Sequence, residues 1–189
     1  MTTTTNDTSN SSPGDASPGD ASPSNTVTTQ VYRVYIKATP EAIWQAITDP
    51  EWNCRYGYAS RGEFDLRPGG AYIGYTNDGM RSMGAPDVGV DGEVVESDPP
   101  RKLVQTWRML MDDDLVAEGF TRLTWEIEPG RDGVTKVTIS HDLQGAPRLS
   151  VLMSGGLEAQ GAGGGWPWVL SDLKSLLETG APLHDDGFH

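Results

Sequence analysis

Between positions 88 and 141, four segments of strand-like alternating character follow one another with short breaks: residues 88–96, 102–110, 119–128 and 134–141. The breaks hold Asp98-Pro99-Pro100, Asp112-Asp113-Asp114 and Pro129-Gly130-Arg131-Asp132-Gly133. A parallel pairing needs a crossover of about a dozen residues or more, so connections this short and this rich in turn residues join antiparallel neighbours. Consecutive hairpins are the expected arrangement, with Asp112-Asp113-Asp114 a solvated turn rather than a cation site.

Upstream, Tyr32, Val34 and Ile36 alternate over residues 30–37, the period of a strand with one buried face. Thr39, Pro40 and Glu41 then carry N-cap chemistry, and Ile43, Ala46 and Ile47 form one helical face that stops near Asp49-Pro50. A second helical turn is expected at residues 52–56. Residues 62–66 and 71–76 read as two strands joined by Arg67-Pro68-Gly69-Gly70. At the far end, Trp166, Val169, Leu170, Leu173, Leu176 and Leu177 recur at helical spacing until Gly180-Ala181-Pro182 stops them. One strand, two short helices, five or six strands and a long helix define an α+β chain whose curved antiparallel sheet wraps the terminal helix.

The ends have a different composition. Residues 1–29 are almost wholly Thr, Ser, Asn, Asp, Pro and Gly, with Ser-Pro-Gly-Asp-Ala beginning at Ser12 and again at Ser17. So little apolar surface does not offset the entropy of ordering, and the segment reads as a disordered tail. Residues 181–189 read as a second, flexible tail, leaving one domain at 30–180. That length buries about 68–70% of its unfolded surface, enough for a real core.

Composition removes several functions. A net charge of −13 with no basic cluster repels phosphate backbones, which excludes nucleic-acid binding. The lone Cys54 offers neither an internal disulfide nor a thiolate cluster for zinc. No apolar run reaches the ~20 residues that span a bilayer, and the N-terminus lacks the basic and apolar regions of a signal peptide, so a cytoplasmic protein without membrane association is expected. No dinucleotide fingerprint or phosphate loop occurs, and no ligand set suggests a metal; no cofactor is expected.

Four stretches together resemble the START-like (SRPBCC, helix-grip) superfamily, in the branch related to the activator of heat shock protein 90 ATPase. They are Ala-Thr-Pro-Glu-Ala-Ile-Trp-Gln-Ala-Ile-Thr-Asp-Pro from Ala38, Phe-Asp-Leu-Arg-Pro-Gly-Gly from Phe64, Gly-Glu-Val-Val-Glu-Ser-Asp-Pro-Pro-Arg-Lys-Leu-Val-Gln-Thr-Trp from Gly92, and Gly-Trp-Pro-Trp-Val-Leu-Ser-Asp-Leu-Lys-Ser-Leu-Leu-Glu-Thr-Gly from Gly165. The resemblance implies a helix-grip fold of seven strands with a cavity between sheet and C-terminal helix that in many relatives holds an apolar small molecule. Because members include carriers, polyketide cyclases and aromatases, and co-chaperone domains, it implies no single activity. Binding of a small apolar or aromatic molecule is the leading expectation. A cyclase-like or hydrolytic enzyme using His141, and a chaperone ATPase-activating partner, stand beside it; a homodimer is left open.

Strand alternation selects the residues that would line such a cavity. Leu123, Trp125 and Ile127 share one face, as do Val137, Ile139 and His141, with Thr138 and Ser140 outward. His141 is expected at the cavity mouth, as a ligand partner or a general acid or base. In the row Leu103, Gln105, Trp107 and Met109, Gln105 is the one polar member and needs a partner if that row is the buried one. Trp52, Tyr56, Tyr72, Met80 and Trp166 complete the expected ligand-binding set, with Trp44 and Met83 offering similar surface. Six glycines between Ser154 and Trp166 oppose regular helix and suggest a linker or a lid whose apolar part is Leu149, Val151, Leu152 and Met153.

Overall fold

The computed structural model describes residues 28–184. Most of the two expected tails, residues 1–27 and 185–189, lies outside them. Strand β1 (Thr29–Ile36) leads into helices α1 (Pro40–Thr48) and α2 (Pro50–Asn53), then β2 (Gly62–Phe64), β3 (Ala71–Tyr75), α3 (Asp78–Ser82), β4 (Val88–Asp98) and β5 (Lys102–Met109). Helix α4 (Asp113–Glu118), β6 (Thr121–Pro129), β7 (Thr135–Asp142), α5 (Pro147–Met153), a 3-10 turn and α6 (Gly165–Thr179) follow. The seven strands form one antiparallel sheet in the order β1-β7-β6-β5-β4-β3-β2. From β2 to β7 it is a simple meander, and β1 closes beside β7. This is the expected α+β helix-grip architecture, with two short helices after the first strand.

Local chemistry sets the boundaries. The Thr39 side chain accepts from the Ala42 N–H at 3.2 Å and Pro40 takes the first helical position, while Gly180 ends α6 in a left-handed conformation. The Asp112–Asp114 run corrects the expected hairpin turn. Asp112 caps α4 by accepting from the Leu115 N–H at 2.9 Å, and Leu115 is buried. Aspartates at a helix start satisfy its free N–H groups and complement its dipole, so this run starts a helix.

The sheet curls around α6. Register shifts at Gly74/Tyr75 and at Val94/Glu96 bend β3 and β4. At Gly92 an added Cβ would lie 2.0 Å from the Thr106 carbonyl oxygen, so only glycine permits that close pass of β4 over β5. On the concave face, Leu123, Trp125 and Ile127 meet Val137 and Ile139 from the sheet and Leu170, Leu173 and Leu176 from α6. Thr138, expected outward, is also buried: it points away from α6 but sits between the long side chains of Arg33 and Glu126 on the paired strands.

The glycine-rich connection is closely packed where it meets α6. Gly165 adopts φ +61°, and a Cβ there would stand 2.3 Å from the Met153 carbonyl oxygen. Gly165→Ala is therefore expected to destabilise the fold by about 1–3 kcal/mol, and Leu173→Ala, fully buried, by about 2–5 kcal/mol. Val31→Ala on the exposed face of β1 should stay within about 0.5 kcal/mol. Urea unfolding of the three variants checks the ranking.

Candidate functional site

A cavity of about 600 Å³ opens between the concave sheet and α6, within the range of small-molecule sites. Its sheet wall is Tyr72 from β3, Gln105, Trp107 and Met109 from β5, and Leu123 and Trp125 from β6. The roof is Trp166 and Val169 of α6, and one side is the loop carrying Tyr56 and Tyr58. Five of the six methionines, Met80, Met83, Met109, Met111 and Met153, line it, supplying unbranched and polarisable surface.

Helix α6 holds the tyrosine loop in place. The Gly57 N–H donates to the buried Asp172 carboxylate at 2.7 Å, the Trp168 indole N–H donates to the Gly57 carbonyl at 2.9 Å, and the Gly165 N–H donates to the Tyr58 hydroxyl at 2.9 Å. Burial, reinforced by Tyr72 and Asp172, pushes the Tyr56 hydroxyl far above the ordinary tyrosine range. Burial also pushes Tyr72 up to about 12, with the Trp107 indole N–H facing it and opposing the shift. Both are neutral groups at any physiological pH.

Charge is confined to the rim and is paired there. Arg148 bridges Asp112 at 2.8 Å and Asp114 at 2.5 Å, while the Glu118 carboxylate accepts from the N–H groups of Arg148 and Leu149. Arg61 pairs with Glu63 at 2.9 Å. Inside, Gln105 is 1% exposed and its Oε1 has no hydrogen-bond partner among the described residues.

Eight of the ten residues expected to bind a ligand line this cavity: Tyr56, Tyr72, Met80, Gln105, Trp107, Met109, Trp125 and Trp166. Trp52 and His141 do not. Trp52 sits on α2 with the Arg55 guanidinium 4.4 Å above its ring, while the adjacent Asn53 turns inward to bond Gly62. His141 is fully buried behind the wall rather than at the mouth. The Trp166 indole N–H donates to its Nδ1 at 3.1 Å, so the proton resides on Nε2, which meets the Thr121 hydroxyl at 2.8 Å; that hydroxyl donates to the Trp107 carbonyl at 2.7 Å. Both imidazole nitrogens and the Thr121 hydroxyl are engaged; Trp107 and Trp166 pack edge-on against the imidazole, and Trp125 packs edge-on against Trp166.

Other lining residues escape sequence reading. Tyr58 and Phe64 lie in or beside an irregular loop, and Met111 follows the end of β5, where no periodicity marks a face. Asp172 did leave a signal: a carboxylate inside the apolar stripe of α6, between Val169 and Leu173.

The family model of Activator of Hsp90 ATPase homolog 1-like protein matches residues 37–178. The chain belongs to that family. Solved structures with the same fold include an HSP90 activator from Plasmodium falciparum, 18% identical with a TM-score of 0.56, covering 79% of this chain and 96% of that one. The Aha1 dimer from Colwellia psychrerythraea is 18% identical with a TM-score of 0.55, covering 80% and 97%. DynU16, from the dynemicin biosynthetic locus, is 21% identical with a TM-score of 0.58; the match covers 84% of this chain and half of DynU16. At such identities the likeness shows the shared fold. No curated protein matches the chain in sequence. Among the described residues, no helix is long and apolar enough to cross a membrane, and no group of three or more His, Cys, Asp and Glu side chains is placed to hold a metal ion.

The buried imidazole gives this family member a defined pH response. Burial lowers the His141 pKa from 6.5 to about 4, against a small opposing pull from Asp142. The unfolded chain takes up this proton first as pH falls, so the contribution of neutral His141 is complete above about 6.5 and is lost between there and about 4. Wild-type stability should fall over that window by on the order of 1 kcal/mol per pH unit more than that of His141→Gln. Parallel curves for the two proteins in urea titrations would show that the imidazole is not buried neutral.

Proposed function

We propose that this protein binds a small, neutral, apolar or aromatic molecule between its sheet and α6. The observation that carries the reading is the cavity's lining: about 600 Å³ bounded by three indoles, four tyrosines and five methionines, with its charges paired at the rim. Aromatic walls and thioethers supply adaptable apolar contact, and one buried carboxamide supplies orientation. The origin of DynU16 in a biosynthetic locus is compatible with a small-molecule role for this fold. In this reading His141 is a positioning residue. It holds Trp166 over the cavity through Nδ1 and anchors to β6 through Thr121, and it touches no ligand.

A second reading, docking on a chaperone and raising its ATPase rate, is favoured by the family match and by the Plasmodium falciparum HSP90 activator. The dimer described for the Colwellia psychrerythraea protein supports self-association on the same footing. Native mass spectrometry of the purified protein, before and after denaturing extraction, separates the readings. A reproducible extra mass that leaves on extraction, together with quenching of tryptophan fluorescence when naphthalene is added to the emptied protein, is the expected result. Empty protein, no quenching and a several-fold stimulation of Hsp90 ATPase activity would favour the chaperone reading.

A further inference from the structure

We infer that the molecule held in this cavity carries a neutral hydroxyl on an aromatic or conjugated ring, and that this hydroxyl donates its hydrogen bond to the Gln105 carboxamide oxygen. The inference rests on the cavity being a binding site, as proposed above. Gln105 lies in the middle of the inner row of β5, between Leu103 and Trp107, and lines the cavity with Oε1 buried and unpartnered. Its cross-strand partners, Val94 and Leu123, have no side-chain donor to offer.

The nearby N–H donors are committed elsewhere, and neither the Tyr56 nor the Tyr72 hydroxyl is placed to bond Oε1. The Trp166 N–H goes to His141, the Trp107 N–H faces the Tyr72 hydroxyl, and the Asn53 amide bonds the Gly62 and Ile47 carbonyls. A buried acceptor left without a partner destabilises a fold, and an apolar side chain of the same shape would avoid that cost. Gln105 therefore fits a role completed by a donor that arrives with the ligand.

The rest of the lining narrows what brings the donor. Among the described residues an ammonium donor would meet no free counter-charge: Asp112 is the one carboxylate in the lining, and it is held by Arg148 and by the Leu115 N–H. An anionic ligand fares no better, because Arg61 and Arg148, the lining's cations, are both paired. Trp107, Trp125, Trp166 and the stacked Phe64–Tyr72 pair, 4.5 Å between ring centroids, offer faces and edges to a planar ring. A phenol or enol hydroxyl on such a ring satisfies all three conditions.

The test uses 2-naphthol and 2-methoxynaphthalene, which share a ring system but differ in the donor, titrated calorimetrically into the full-length protein and its Gln105→Met variant. Methionine keeps the length of the side chain without its amide. The ratio of the two affinities should favour 2-naphthol in the wild type and drop by about tenfold in the variant, through loss of 2-naphthol binding alone. The ligand-free variant should also melt at a higher temperature than the wild type, since it removes an unpartnered acceptor. An unchanged ratio, with both probes still bound, would overturn the donor assignment and leave the cavity reading standing. A lower melting temperature or failure to fold would show that the carboxamide is already satisfied, which overturns the assignment equally. Absence of binding by both probes to the wild type would overturn the two readings together.

Discussion

The indole N–H of Trp166 donates to a buried neutral histidine, and the placement of α6 over the sheet depends on that contact. Through His141 and the Thr121 hydroxyl the bond runs to the backbone of β5, so the first turn of the helix is tied to three adjacent strands. Further along, Asp172 and Trp168 tie the same helix to the tyrosine loop. Apolar packing of Leu170, Leu173 and Leu176 supplies the bulk of the attraction, but it is not directional. The polar ties set how far the helix stands from the sheet and leave room for the cavity.

The fold was legible because its signals are local. Alternation in β1 and β4–β7, the Thr39-Pro40 cap and the Gly180 stop each depend on a few neighbouring residues, and each agrees with the others. The cavity was legible only where a strand or helix carried it. Gln105, Trp107 and Trp125 follow from period two, whereas Tyr58 and Met111 reach the cavity from irregular segments whose path is set by long-range contacts. His141 shows the limit of face assignment. Its inward orientation follows from alternation, but a large indole arriving from α6 places it behind the wall, and no sequence pattern reports that. The aspartate run shows the converse case: a helix start reads as a turn in sequence because both use the same residue type for the same bond, a carboxylate accepting from backbone N–H groups.

The cavity combines adaptability with a single fixed polar demand. Methionines and aromatic rings tolerate many shapes, so they set a class of ligand more than an identity. Paired charges at the rim and protonated tyrosines inside keep the interior neutral, which disfavours ions by desolvation. Against that background the Gln105 carboxamide is, among the described residues, the one buried group in the wall whose acceptor stands without a partner, and under the proposed reading it is the group that orients a ligand.

Uptake of an aromatic molecule between the sheet and α6, as proposed, is open to direct observation by NMR of methyl-labelled methionine. All five methionines of the described residues line the cavity, so the protein carries its own probes. On saturation with 2-naphthol, the methyl resonances of Met109, Met111 and Met153 should show ring-current shifts. Unmoved Met109, Met111 and Met153 resonances at a concentration where the probe is bound would place the aromatic molecule elsewhere on the protein and contradict the account.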